Sequence, residues 1–313
     1  MSAESLKNET EKRLFYQNIA SAAESGWDFS IRWFSDKDSL ASIETTNILP
    51  VDLNAFMCYN IHILATLHGE LGHRNKNKHW QQRYQEIRYA FNKIFYVEEA
   101  KGWYDFNFRT GKHNTDFYAS MAAPLFTQCF EPLSTNKLDD LYNKLVELGV
   151  FNFTGGIPTS LQKSSTQQWD FPNGWSPLNH MMIEGLRKSD DPRLQHKALV
   201  LAEKWLFANY RVFQADNAMW EKYDVVSTKP RLGAGGEYDV QPGFGWTNGV
   251  ALDLLYTYGD ILTLPEDISD KTTKRVPSRQ GRAFNAQSSV SNGCLLKLII
   301  YTVILRLLYV HIL

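Results

Sequence analysis

The sequence predicts an all-α protein whose helices pack in pairs around a shared core, a helical toroid. Three observations carry this reading. Apolar residues recur at helical spacing over eight stretches, the segments between them are rich in Gly, Pro, Asn and Trp, and no set of β-branched runs alternating with period two would supply a sheet of several strands. The stretches run from Glu11 to Glu24, Asp52 to Leu71, His79 to Phe95, Phe117 to Phe130, Lys137 to Leu148, Pro177 to Leu186, Pro192 to Ala208 and Thr247 to Tyr258. An array of helix pairs leaves polar and aromatic loops at one end, where sites are commonly built.

With 313 residues, 43% of them hydrophobic, the chain can bury a sizeable core. A formal net charge of -1 with 21% charged residues supplies no basic field for a phosphate backbone, so no nucleic-acid partner is expected. Nine Trp residues suit stacking on sugar rings as well as core packing. Cys58, Cys129 and Cys294 lie far apart without ligand spacing and predict neither a zinc site nor a disulfide framework. His62, His68, His73 and His79 do not hold one helical face and read as solvated residues rather than metal ligands.

Residues 1–263 read as the helical region, 264–293 as a polar linker and 294–313 as a hydrophobic tail. The tail, CLLKLIIYTVILRLLYVHIL, is long enough to cross a bilayer core, although Lys297 and Arg306 interrupt it. Two readings stand: membrane attachment through an anchor-type tail, which implies an extracellular or cell-surface location, or a non-native tail from a mistaken splice or reading frame. The polar N-terminus has no apolar run of signal-peptide length, whereas Asn-x-Thr triplets at Asn8 and Asn152 would fit a secreted protein.

Four runs place carboxylates among aromatic residues in loops. In AESGWDFSIRWF, residues 23–34, Asp28 lies between Trp27 and Phe29, where desolvation can keep a carboxyl protonated as a general acid. Its alternative is a helix cap beside core aromatics. The run at 156–177 interleaves Gln167, Gln168, Asp170 and Asn173 with Trp169 and Trp175, an inventory for binding sugar hydroxyls while indole faces cover the ring. MWEKYDV at 219–225 and GAGGEYDVQPGFGWTNG at 233–249 make Glu221 and Glu237 candidates for a base and a substrate-holding carboxylate. The last run lacks GxxxxGK[ST] and a preceding strand, which argues against a phosphate loop.

At these residues the sequence resembles the trehalases, which cleave α,α-trehalose into two glucoses. QQWDFPNGWSP matches one of that family's two signatures, and ESGWDFSIRW, IPTSLQK, EKYDV and GGEYDVQPGFGWTNG match other segments in the expected order, over about Ala23 to Asp260. The resemblance implies an (α/α)6 toroid, incomplete at its N-terminal side, acting as an inverting hydrolase without metal or cofactor. It implies Asp28 as general acid and Glu221 as general base. It also implies substrate contacts at Gly26, Glu237 and Trp169, and through the opening SAESLKNE at Glu4. Trehalose and glucose are the implied substrate and product.

The sequence departs from the family in lacking the other signature, PGGRFxEFYxWDxY, and the sugar-gripping arginines, and in carrying Ile31 where Ser is usual. These departures lead to the expectation of a truncated form. The alternatives are a catalytically inactive sugar-binding remnant tethered to a membrane, or a related toroid glycosidase acting on another disaccharide.

Overall fold

A computed structural model describes residues 8–131 and 135–262. Glu4, the linker and the hydrophobic tail fall outside these residues. Each of the eight predicted stretches contains a helix: α1 Glu9–Glu24, α2 Val51–Glu70, α3 Arg74–Phe95, α4 Ala122–Thr127, α5 Thr135–Glu147, α6 Ser176–Arg187, α7 Pro192–Asp216 and α8 Gly245–Tyr258. Among the described residues no helix is long and apolar enough to cross a membrane.

Local chemistry sets several helix ends. Asn8 caps α1 by accepting the Glu11 N–H at 2.8 Å, and Glu9 and Glu11 complement the helix dipole in the first turn. Asp191 accepts the Arg193 N–H at 2.8 Å, Pro192 opens α7, and Asn217 closes it in the left-handed region. The stretch predicted from Phe117 to Phe130 is shorter than expected. A 3-10 turn at Ala119–Met121 precedes the six-residue α4, because Pro124 is tolerated only in a helix's first turn.

Helices α2, α4, α6 and α8 neighbour one another in a row, with α3 packed on α2 and α7 on α6. This is the paired-helix arrangement of a toroid. Among the described residues, seven strands of two or three residues accompany it. Strands β1 (Ile48–Leu49), β4 (Asp105–Asn107) and β5 (Lys112–Asn114) form one antiparallel sheet, and β2 (Tyr96–Val97) pairs with β3 (Gly102–Trp103). Strand β6 (Asn173–Trp175) pairs antiparallel with β7 (Lys222–Asp224), matching Trp175 to Lys222. That last pair carries two of the predicted site runs and fixes their register.

Helix α2 is apolar around its whole circumference. Val51, Ala55, Cys58 and Ala65 are buried, while Leu53, Met57, Leu64 and Leu67 are exposed. On α8, Val250 and Leu254 are buried, and Leu252, Leu255 and Tyr256 are exposed. Such sequences are suited to helices covered on both sides.

Two expectations need correction. Cys58 of α2 and Cys129, just beyond α4, form a disulfide with a Cα–Cα distance of 6.0 Å. Their 71-residue separation hid a pair that the packing of α2 on α4 brings together. Reducing this bond is expected to cost roughly 2–4 kcal/mol by freeing the unfolded chain. Urea unfolding with and without dithiothreitol measures this, and an unchanged midpoint would exclude the bond. His62 is also not solvated: it is half-buried, with its ring 4.6 Å from that of Tyr84.

Candidate active site

The loop after α1 carries Gly26 and Asp28. Ser25 Oγ donates to the Ala22 carbonyl at 2.7 Å and accepts the Trp27 N–H at 3.1 Å, which turns the chain sharply. Gly26 has φ +81°, and a side chain there would meet open space, so backbone conformation is what selects glycine. The same openness leaves the Gly26 backbone approachable. Trp33 Nε1 donates to the Trp27 carbonyl at 2.9 Å, holding the loop from the other side.

Arg32 supports this loop from below. It is almost fully buried and makes two hydrogen bonds to each of Asp52 and Asp105, at 2.6 to 2.9 Å. Burial alone would lower its pKa, but Asp105 and Asp52 together hold it above the ordinary value. The guanidinium also lies 4.5 Å from the Trp27 ring centre and 4.4 Å from that of Trp33. Asp105 additionally accepts the Val51 N–H at 2.9 Å, so one ion cluster joins the Asp28 loop, β4 and the start of α2.

The 156–175 run meets this loop through Gln168, Trp169 and Asp170. The Trp169 N–H donates to the Phe29 carbonyl at 3.1 Å, and Gln168 Nε2 donates to the Asp28 carbonyl. Asp170 is fully buried and accepts from Ser30 Oγ at 2.9 Å, the Ile31 N–H at 2.9 Å and Ser165 Oγ at 2.7 Å. Burial pushes its carboxyl above the usual range, against those hydrogen bonds. The structure therefore gives Asp170 an internal clamp in place of the substrate contact expected of it. Trp169 is 6% exposed and stacks on Trp175 with centres 3.8 Å apart, with Trp27 at 5.3 Å. Little of its face is left for a sugar.

Glu221 immediately precedes β7. Its N–H donates to the Gln241 carbonyl at 3.0 Å, and its own carbonyl accepts from Trp246 Nε1 at 3.1 Å. The glycine-rich run packs tightly against Gln168: an added Cβ would lie 2.7 Å from Gln168 Oε1 at Gly236 and 2.8 Å from the Thr166 carbonyl at Gly235. Both glycines also have positive φ, so the run serves close backbone approach. Beyond them, Glu237 is exposed.

Asp28, Glu221 and Glu237 share one property. None of their carboxylates has a hydrogen-bond or ion-pair partner among the described residues, in contrast to Asp52, Asp105 and Asp170. Asp28 and Glu221 are half-buried, and both act electrostatically on Lys222, the residue after Glu221. Lys222 Nζ donates to Gln168 Oε1 at 2.6 Å, so the segments bearing the two carboxylates are tied through one amide.

Other parts of the molecule offer less chemistry. A cavity of about 600 Å³ bordered by Tyr84, Leu141 and Leu194 contains none of the predicted site residues. A second, of about 530 Å³, is bounded by Trp27, Arg32 and the start of α2 and adjoins the Asp28 loop. Among the described residues, His180, Glu184 and Asp253 form one cluster with metal-ligating atoms. They are already engaged, His180 with Asp253 at 2.7 Å and Glu184 with Arg187 at 2.7 Å.

The chain matches the Trehalase family model over residues 1–259. It is 42% identical over 252 residues to the trehalase of Oryctolagus cuniculus, covering 79% of this chain and 43% of that protein. It is 40% identical over 258 residues to the trehalase of Homo sapiens, covering 82% and 44%. The chain thus spans less than half the length of these curated relatives. Among solved structures, the neutral trehalase of Saccharomyces cerevisiae aligns with a TM-score of 0.60 at 21% identity, covering 80% of this chain and 44% of the other. A mannosylglycerate hydrolase from Thermus thermophilus aligns with a TM-score of 0.50 at 18% identity, covering 67% and 48%, which supports the same fold. Taken with the paired helices and the matched loop runs, these similarities show that the chain belongs to the trehalase family.

Proposed function

We propose that this site hydrolyses α,α-trehalose to two glucoses with inversion. The carrying observation is the pair of half-buried carboxylates, Asp28 and Glu221, without partners among the described residues and on segments joined through Gln168 and Lys222. Asp28 gives its proton to the bridging oxygen as the bond from that oxygen to the anomeric carbon breaks. Glu221 takes a proton from a water whose oxygen bonds to the same carbon from the opposite face. Inverting pairs stand about 6.5–9.5 Å apart, which leaves room for that water. The exposed Glu237 carboxylate and the open Gly26 backbone supply acceptors for sugar hydroxyls.

Proton NMR of freshly cleaved trehalose tests the reading. One α-glucose and one β-glucose per cleavage are expected, because only the attacked sugar inverts. Two α-glucoses would overturn inversion, and a folded chain that releases no glucose would overturn hydrolysis. Trehalose binding without release would instead favour the sugar-binding reading.

A further inference from the structure

We propose that Lys222 is the positioning residue of this site, fixing the Asp28 loop and the Gly235 turn against the Glu221 strand through Gln168. This inference rests on the acid and base reading above.

A lysine is seldom buried unless an anion pairs with it, because removing an ammonium from water is costly. Lys222 is only 1% exposed, yet the acceptors bonded to its Nζ are neutral. These are Gln168 Oε1 at 2.6 Å and the Gly235 carbonyl at 2.8 Å, and the Trp175 ring centre lies at 5.2 Å. Fold stability gives little reason to keep such a charge, since an apolar side chain of similar length would fill the space without the desolvation cost.

Its connections supply a different reason. Gln168 receives Lys222 on its side-chain oxygen and holds the Asp28 carbonyl with its side-chain nitrogen. The Gln168 main-chain carbonyl accepts from Asn173 Nδ2 at 2.9 Å and Trp175 Nε1 at 3.2 Å, so the amide itself is anchored. The Gly235 carbonyl belongs to the turn that leads to Glu237, two residues on. One ammonium therefore joins the segments that carry the proposed acid, the proposed base and the Glu237 carboxylate.

The charged groups acting on Lys222 are Glu221 and Asp28, whereas the groups packed against it from β6, the Gln168 segment and the Gly235 turn are neutral. Burial lowers the Lys222 pKa, and Glu221 followed by Asp28 counteracts that.

The test is amide hydrogen exchange over the Asp28 loop and the Gly235 turn in the full chain, comparing wild type with Lys222→Met, Lys222→Gln and Lys222→Arg. In the Met variant exchange in both segments is expected to speed up about tenfold while the amides of α6 and α7 keep their rates, and Arg is expected to hold both segments near wild type. The Gln variant keeps a hydrogen-bond donor toward Gln168, which preserves the test if the Met variant fails to fold. Unchanged exchange in both segments of the folded Met variant, or of the Gln variant where Met does not fold, would overturn the proposal.

Activity adds a separate reading. In the neutral variants kcat is expected to fall about tenfold with KM changed little, whereas a merely structural role would lower the unfolding midpoint and leave both near wild type. Loosened segments in variants of a chain that hydrolyses no trehalose would leave Lys222 in its role and remove the trehalose reading, so the two failures are distinguishable.

Discussion

Asp28→Asn and Glu221→Gln are each expected to cut glucose release from trehalose by about a hundred- to ten-thousandfold, the usual contribution of a positioned acid or base. Both substitutions are nearly isosteric and remove the proton function alone. Neither carboxylate bonds to a described residue, so among the described residues no hydrogen bond or ion pair is lost when either is neutralised. Unfolding midpoints should therefore stay close to that of the unmodified chain. Asp170→Asn is the contrasting control: it confronts Ser30, Ile31 and Ser165 with an amide that donates where the carboxylate accepted. That variant should lose stability together with activity. Initial rates from a coupled glucose assay, set beside urea melts of the same samples, separate the cases. A Glu221→Gln chain that kept more than about a tenth of its rate would remove Glu221 from the base role.

Arg32→Leu is expected to destabilise the chain by about 3–5 kcal/mol, the cost of breaking a buried ion cluster from one side. The guanidinium is the shared partner of Asp52 and Asp105, and its loss leaves two carboxylates in the interior without a cation. Asp105 would still accept the Val51 N–H, but one neutral donor does not offset the charge. The penalty is a large share of a typical domain's net stability of about 5–15 kcal/mol. Trp27 and Trp33 would lose the cation packed against their rings, so the Asp28 loop should loosen along with the fold. Equilibrium urea unfolding measures the loss, and a change below about 1 kcal/mol would show that the cluster relaxes or admits water.

The sequence makes the helices legible because their apolar residues recur at helical spacing, as a stripe or, in α2 and α8, on every side, and both patterns are local information. Ends are less legible. Helix α7 runs to Asp216, past the predicted end at Ala208, because Asn209 and Val212 remain buried along the same side, and only the left-handed Asn217 stops it. In the site, the runs containing Asp28 and Glu221 stand out through their aromatic and glycine neighbours. What those runs contact is not local. Asp170 resembles a sugar-binding carboxylate in sequence, and its role as a clamp emerges only when residues about 140 positions earlier fold against it. Lys222 likewise reads as an ordinary charge beside Glu221. Its burial depends on the β6–β7 pairing and on the Gly235 turn closing over Gln168.

The indole cluster around Trp169 has an optical consequence. Trp169 and Trp175 lie face to face at 3.8 Å, Trp27 leans against the first, and Trp246 meets both edge-on at 6.4 and 5.7 Å. At such spacings excitation passes readily among the rings, so the four emit as a shared set. These same rings adjoin the segments that carry Asp28, Gln168 and Lys222. Loosening of any one segment would let water reach the indoles and shift their emission to the red, giving the site a built-in fluorescent gauge of its own assembly.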